Sequence, residues 1–177
     1  MYTVEEYDKQ KTKVLKYVLY KKRTEKEIQT KFRTQIEQNM LEDIIEELKE
    51  NGYISDENYI ERAVQEFMAL KNLSIKEIRY KLMSKGISSS ALEDYMQKHY
   101  EELEEYEKKS AGNIAIKKSV NMDETEIRQY LMKKGYTEES IRDAIEKLRN
   151  WWEIGTVLIS QKEGSKINAK RINIRNK

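Results

Sequence analysis

The chain has 177 residues, of which 37% are charged, with a formal net charge of +2, no proline, no cysteine and six glycines. This composition disfavours a turn-rich β protein and suits helices, where Lys, Glu, Arg and Gln lose little rotamer freedom. The missing cysteines exclude a disulfide, a thiolate nucleophile and a zinc–thiolate site; no apolar run approaches the roughly 18 residues of a membrane span. Twelve tyrosines, seven methionines and two tryptophans supplement a modest aliphatic content, which predicts a thin core spread along the molecule.

In chain order, Met1 to Gln10 carries early acids and no apolar stretch of a signal peptide, so a cytoplasmic protein is expected. Charge then falls in blocks: ten basic residues against two acidic over Lys9 to Arg33, and ten acidic against two basic over Thr34 to Glu66. Val14 and Val18 mark the inward face of a first helix. Thr24-Glu25-Lys26-Glu27 is a capping box, in which the Thr hydroxyl and the Glu carboxylate each satisfy a free backbone N–H. Ile28 and Phe32 follow on one face, and Phe32-Arg33-Thr34 runs almost directly into a third helix carrying Leu41 and Ile45. Gly52 ends it, and Ser55-Asp56-Glu57 starts the next.

The pattern recurs. Ser74-Ile75-Lys76-Glu77 and Asp123-Glu124-Thr125-Glu126 repeat the box at intervals of 50 and 49 residues. The apolar pairs keep step: Ile78 and Leu82, then Ile127 and Leu131. Upstream, Val64 and Met68 match Val14 and Val18, with Ile114 and Lys118 in the third register. Lys85-Gly86-Ile87-Ser88 and Lys134-Gly135-Tyr136-Thr137 end the second helices and open third ones carrying Leu92 with Met96 and Ile141 with Ile145. The reading is all-α: three tandem three-helix repeats at 1–54, 55–100 and 101–152, forming an elongated, curved array. Trp151-Trp152 are expected to close the open end of the last repeat. Gly155-Thr156-Val157-Leu158-Ile159 reads as a short strand or helix end, and 153–177 as an irregular basic tail.

The residues offer little for catalysis. His99 has no partners at ligand spacing, the run Glu101-Glu102-Leu103-Glu104-Glu105 reads as a solvated helix face, and no phosphate-cradling glycine loop exists. Neither enzyme activity nor a cofactor is expected. Cations recur instead: Arg79 with Arg128, and Lys85 with Lys134, hold equivalent places, and Arg79 sits about 100° round the helix from inward Ile78. The binding candidates are Lys71, Lys76, Arg79, Lys81, Lys85, Arg128, Lys133 and Lys134, although Lys85 and Lys134 also suit a last helical turn as complements to its dipole. Lys9 to Arg33, and Lys108-Lys109 with Lys117-Lys118, suit a phosphate backbone. Tyr95, Tyr100, Tyr106 and Tyr130 suit base stacking, or a half-buried place at the margin of a thin core.

The stretch Asn51-Gly52-Tyr53-Ile54-Ser55-Asp56-Glu57-Asn58-Tyr59, with Ile78-Arg79-Tyr80-Lys81-Leu82-Met83-Ser84-Lys85-Gly86-Ile87, resembles the bacterial recombination regulator family RecX. The likeness spans roughly residues 10 to 150, with Lys134-Gly135-Tyr136 as its echo in the third copy. Lys71-Asn72-Leu73-Ser74 stands where that family usually has a glycine, and the tail has no counterpart. The resemblance implies a crescent-shaped, non-catalytic monomer that lodges in the groove of the RecA–single-stranded-DNA filament and limits RecA's activities and filament growth, within the SOS response and DNA repair. DNA, single- or double-stranded, is the secondary partner; a helical DNA-binding module acting without RecA is the alternative.

Overall fold

The structure, a computed structural model, describes residues 2–151. Trp152, the Gly155 to Ile159 stretch and the 153–177 tail lie outside the described residues. Among the described residues there are nine helices and no strand: α1 (Val4–Tyr20), α2 (Glu25–Phe32), α3 (Gln38–Glu50), α4 (Asp56–Leu70), α5 (Ile75–Met83), α6 (Ser89–Lys98), α7 (Tyr100–Lys118), α8 (Glu124–Lys134) and α9 (138–151). The chain divides into two compact units, Met1–Glu104 and Glu105–Lys177. The first unit holds two three-helix sets, in which α1 packs on α2 and α3, and α4 on α5 and α6.

Local chemistry explains where the helices start. Thr24, Ser74 and Asp123 all form complete, reciprocal capping boxes with Glu27, Glu77 and Glu126. A fourth box, Thr3 with Glu6, opens α1. Ser55 and Ser88 cap α4 and α6 with their hydroxyls, while α3 begins at Glu37 without a side-chain cap. Gly135 ends α8 at φ 81° in the left-handed region, where only glycine sits without strain. After α2 no glycine is present. The chain instead turns at Arg33 in ordinary right-handed geometry and buries Ile36, so Phe32 is separated from α3 by a five-residue turn and not joined directly to it.

Each repeat has its own apolar centre. In the first, Val14, Val18, Ile28, Phe32, Ile36, Met40, Leu41, Ile44, Ile45, Leu48 and Ile54 form one cluster. In the second, Ile60, Val64, Ile78, Leu82, Ile87, Leu92 and Met96 are buried. In the second unit Ala111, Ala115, Ile127, Leu131, Tyr136, Ile141, Ala144, Ile145 and Leu148 cluster. Each fully buried Ile or Leu contributes about 1.5–3 kcal/mol. Beside the first cluster, the Tyr7 hydroxyl donates to Glu47 at 2.8 Å, and Lys11 pairs with the same carboxylate. Burial and the Glu47 charge both push the Tyr7 phenol above its ordinary pKa.

Three expectations change. In the C-terminal half of α7 the inward positions are Ala111 and Ala115, both fully buried, whereas Ile114 only packs against that cluster and Lys118 is half-buried. One residue of slip turns a helix by about 100°, and here small residues, not the larger apolar ones, face the core. Met68 is half-buried, unlike Val64. Trp151 is 57% exposed, because it lies a turn beyond Leu148, past the end of the buried cluster.

Candidate partner-binding surface

The second helix of each repeat fixes the candidate cations. In α5, Ile78 and Leu82 take the inward stripe, which leaves Lys76, Tyr80 and Met83 along an outer face at i, i+4 and i+7. Tyr80 is 75% exposed and Met83 46%. Arg79 flanks this stripe, half-buried, and its guanidinium donates to Glu93 of α6 at 2.8 Å. In α8 the same construction returns. Arg128 lies 3.3 Å from Glu138 and 3.9 Å from Glu124, and Met132, the counterpart of Met83, is 56% exposed. The second and third repeats thus each present a partly exposed arginine, oriented by a carboxylate of its own repeat, near an exposed methionine; the first has Gln29 and Arg33 at these places. Arg, Tyr and Met are the residue types enriched at interfaces. Such exposed pairs contribute about 0–1 kcal/mol, so they orient the guanidinium more than they stabilise the fold.

The other candidates divide. Lys76, Lys81 and Lys133 are exposed and make no ion pair among the described residues. Lys71 caps the end of α4, and Lys134 is the last residue of α8. Lys85 lies beyond α5, not in its last turn, and joins the first repeat to the second. Its ammonium sits 2.9 Å from Glu27, and its carbonyl accepts the Thr24 hydroxyl at 2.7 Å. The hydrogen bond to Glu27 raises the Lys85 pKa. Burial pushes Glu27 up, but the hydrogen bonds from Lys85 and the Thr24 backbone N–H outweigh it and leave this carboxyl below its ordinary value. Gly86 follows at φ +87°, with Lys26 so close that an added Cβ would fall 2.3 Å from the Lys26 Cβ. The Glu25 N–H donates to Asp56 at 3.1 Å, and Lys49 reaches Glu25 at 3.1 Å, completing the joint. Of the eight cations only the pairs Arg79/Arg128 and Lys85/Lys134 hold equivalent positions; Lys76 corresponds to Thr125 and Lys81 to Tyr130. The contacts made by Lys85 were missed in the sequence, since its partner lies 58 residues away.

His99 stacks on Tyr95, with ring centroids 4.3 Å apart, and its Nδ1 lies 3.5 Å from Glu102. Among the described residues no group of three or more His, Asp or Glu side chains could hold a metal ion, and no helix is long and apolar enough to cross a membrane. Tyr106 is buried, Tyr95 and Tyr130 are half-buried, and Tyr100 is exposed. Lys118 lies over the Tyr130 ring at 4.5 Å, and Lys108 pairs with Glu139 at 2.8 Å.

Comparison with known proteins places these observations. The family profile described as "RecX, first three-helix domain" matches residues 124–148, in the last repeat of this chain. The chain is 30% identical over 138 residues to the regulatory protein RecX of Staphylococcus carnosus, a match covering 76% of this chain and 52% of that protein. It is 29% identical over 143 residues to the regulatory protein RecX of Clostridium botulinum strain Alaska E43, covering 73% and 63%. The chain therefore spans between half and two thirds of the length of these relatives. Among solved structures it resembles the crystal structure of RecX from Lactobacillus salivarius, with a TM-score of 0.74 and 25% identity over 83% of this chain and 99% of that one. A second RecX crystal structure matches with a TM-score of 0.68 at 24% identity.

Proposed function

The chain belongs to the RecX family of regulatory proteins, and on that premise we propose that it binds the RecA–single-stranded-DNA filament in its groove and restrains RecA activity and filament growth. The observation that carries this reading is the recurrence, at equivalent places on α5 and α8, of a carboxylate-oriented arginine near an exposed methionine. A filament offers its partner the same surface again and again, and a repeat protein that offers the same side chains again can meet it more than once. Arg79 and Arg128 supply oriented donors for carboxylates or phosphates. Lys76, Lys81 and Lys133 add unpaired positive charge, Tyr80 and Met83 the apolar contact. Lys71 closes α4 and Lys134 ends α8; Lys85 acts through the joint.

The test is single-stranded-DNA-dependent ATP hydrolysis by RecA, with this chain added below the RecA concentration. The reading expects hydrolysis to fall at substoichiometric amounts. Unchanged hydrolysis, with no chain recovered alongside pelleted filaments, contradicts it.

A further inference from the structure

Three cations of the first unit meet carboxylates where helices pack: Lys11 with Glu47, Lys49 with Glu25, Lys85 with Glu27. Another helix junction gathers cations without such partners. Where the end of α1 approaches α4, two adjoining cavities of about 840 and 250 Å³ share Lys22, Tyr59 and Arg62 as walls. Lys21 also lines the larger and Arg23 the smaller, giving four cations against Glu61 and Glu66. Lys21, Lys22 and Arg62 are exposed and make no ion pair among the described residues. Arg23 lies over the Tyr17 ring at 4.8 Å, and its buried Nε has no hydrogen-bond partner. The walls also present aromatic faces to solvent: Tyr20 is 88% exposed and Tyr53 40%.

We propose that this groove binds a short stretch of single-stranded nucleic acid, with Lys22, Arg23 and Arg62 on its phosphates and the Tyr20 and Tyr53 rings stacked on its bases. Unpaired cations along a groove draw a polyanion, and exposed rings add stacking that tolerates any base. A duplex has no free base faces for those rings, and an acidic polypeptide has carboxylates but no flat bases to stack. The observations therefore favour a single strand over either. This goes beyond the filament reading and does not depend on it, because the residues are different and the strand is bound without RecA.

The experiment is fluorescence anisotropy of the full chain with a short fluorescein-labelled oligothymidylate, across a salt series and without RecA. Binding is expected to weaken with salt at a log–log slope of about −2, as for three phosphates on a single strand. Lys22→Glu with Arg62→Glu should weaken it at least about tenfold, and Tyr20→Ala with Tyr53→Ala about fivefold or more. Glu61→Gln with Glu66→Gln should tighten it. The matched control, Lys98→Glu with Arg142→Glu, should leave it unchanged, and melting curves should show all variants folded. The proposal is overturned if the wild-type chain does not bind the oligonucleotide at low salt, or if the groove variants bind like wild type. It also falls if the control loses as much affinity as the charge-reversed groove, if a duplex binds as tightly, or if polyglutamate competes as well as the unlabelled strand.

Discussion

Gly52 and Gly86 share a backbone and differ in surroundings, which makes them a matched pair. Both have φ between 70° and 90°, a region that costs a residue with a Cβ about 1–2 kcal/mol. Nothing lies within 4 Å of a Cβ added at Gly52, whereas at Gly86 it would meet the Lys26 side chain at 2.3 Å. Gly52→Ala should therefore lower stability by about 1 kcal/mol and Gly86→Ala by about 3 kcal/mol, read from urea midpoints. Equal losses would show that the second glycine is needed for its dihedral alone. Asp56 offers a pH test at the same joint. Burial raises its pKa, against the Glu25 N–H that lowers it. An acid with a raised folded pKa favours folding while protonated, and that contribution is lost as pH rises through the folded value. Asp56→Asn keeps the acceptor for the Glu25 N–H and removes the charge. It should raise the melting temperature at pH 7 relative to its effect at pH 3; the opposite order would contradict this account of Asp56.

At the scale of the helix, starts were legible and rotations were not. A capping box is a local device, four residues long, so Thr24, Ser74 and Asp123 could be read directly, and the apolar pairs at i and i+4 after them fixed the inward faces of α2, α5 and α8. In α7 the larger apolar residue Ile114 pointed to the wrong face, because Ala111 and Ala115 pack inward and alanine carries little signal. Caps also differ in what else they hold. The Thr24 hydroxyl accepts the Glu27 N–H at 3.1 Å and donates to the Lys85 carbonyl at 2.7 Å, whereas exposed Thr3 caps α1 alone. Thr24→Ala should cost about 2 kcal/mol or more and Thr3→Ala about 0.5–1 kcal/mol in chemical unfolding. Similar losses would deny the hydroxyl a role between repeats.

For the whole molecule, repetition was legible because one unit was written three times, and Arg79 with Arg128 could be singled out from that register. The joint and the groove could not, since Lys85 meets a carboxylate a full repeat away and Arg62 stands in an acidic block, its neighbourhood visible only once α1 meets α4. The pairs of Arg79 with Glu93 and Arg128 with Glu138 are exposed, so losing both costs about 1 kcal/mol each at most, and Arg79→Gln with Arg128→Gln should remain folded. Glu93→Gln with Glu138→Gln breaks the same pairs but keeps the arginines, separating the guanidinium from the ion pair. The direct measurement is co-sedimentation of these proteins with preformed RecA–single-stranded-DNA filaments. The account predicts that the wild-type chain pellets with the filaments, the carboxylate variant largely follows it, and the arginine variant stays in the supernatant with an unchanged melting curve. A wild-type chain left in the supernatant, or an arginine variant that pellets as well as wild type, would contradict it.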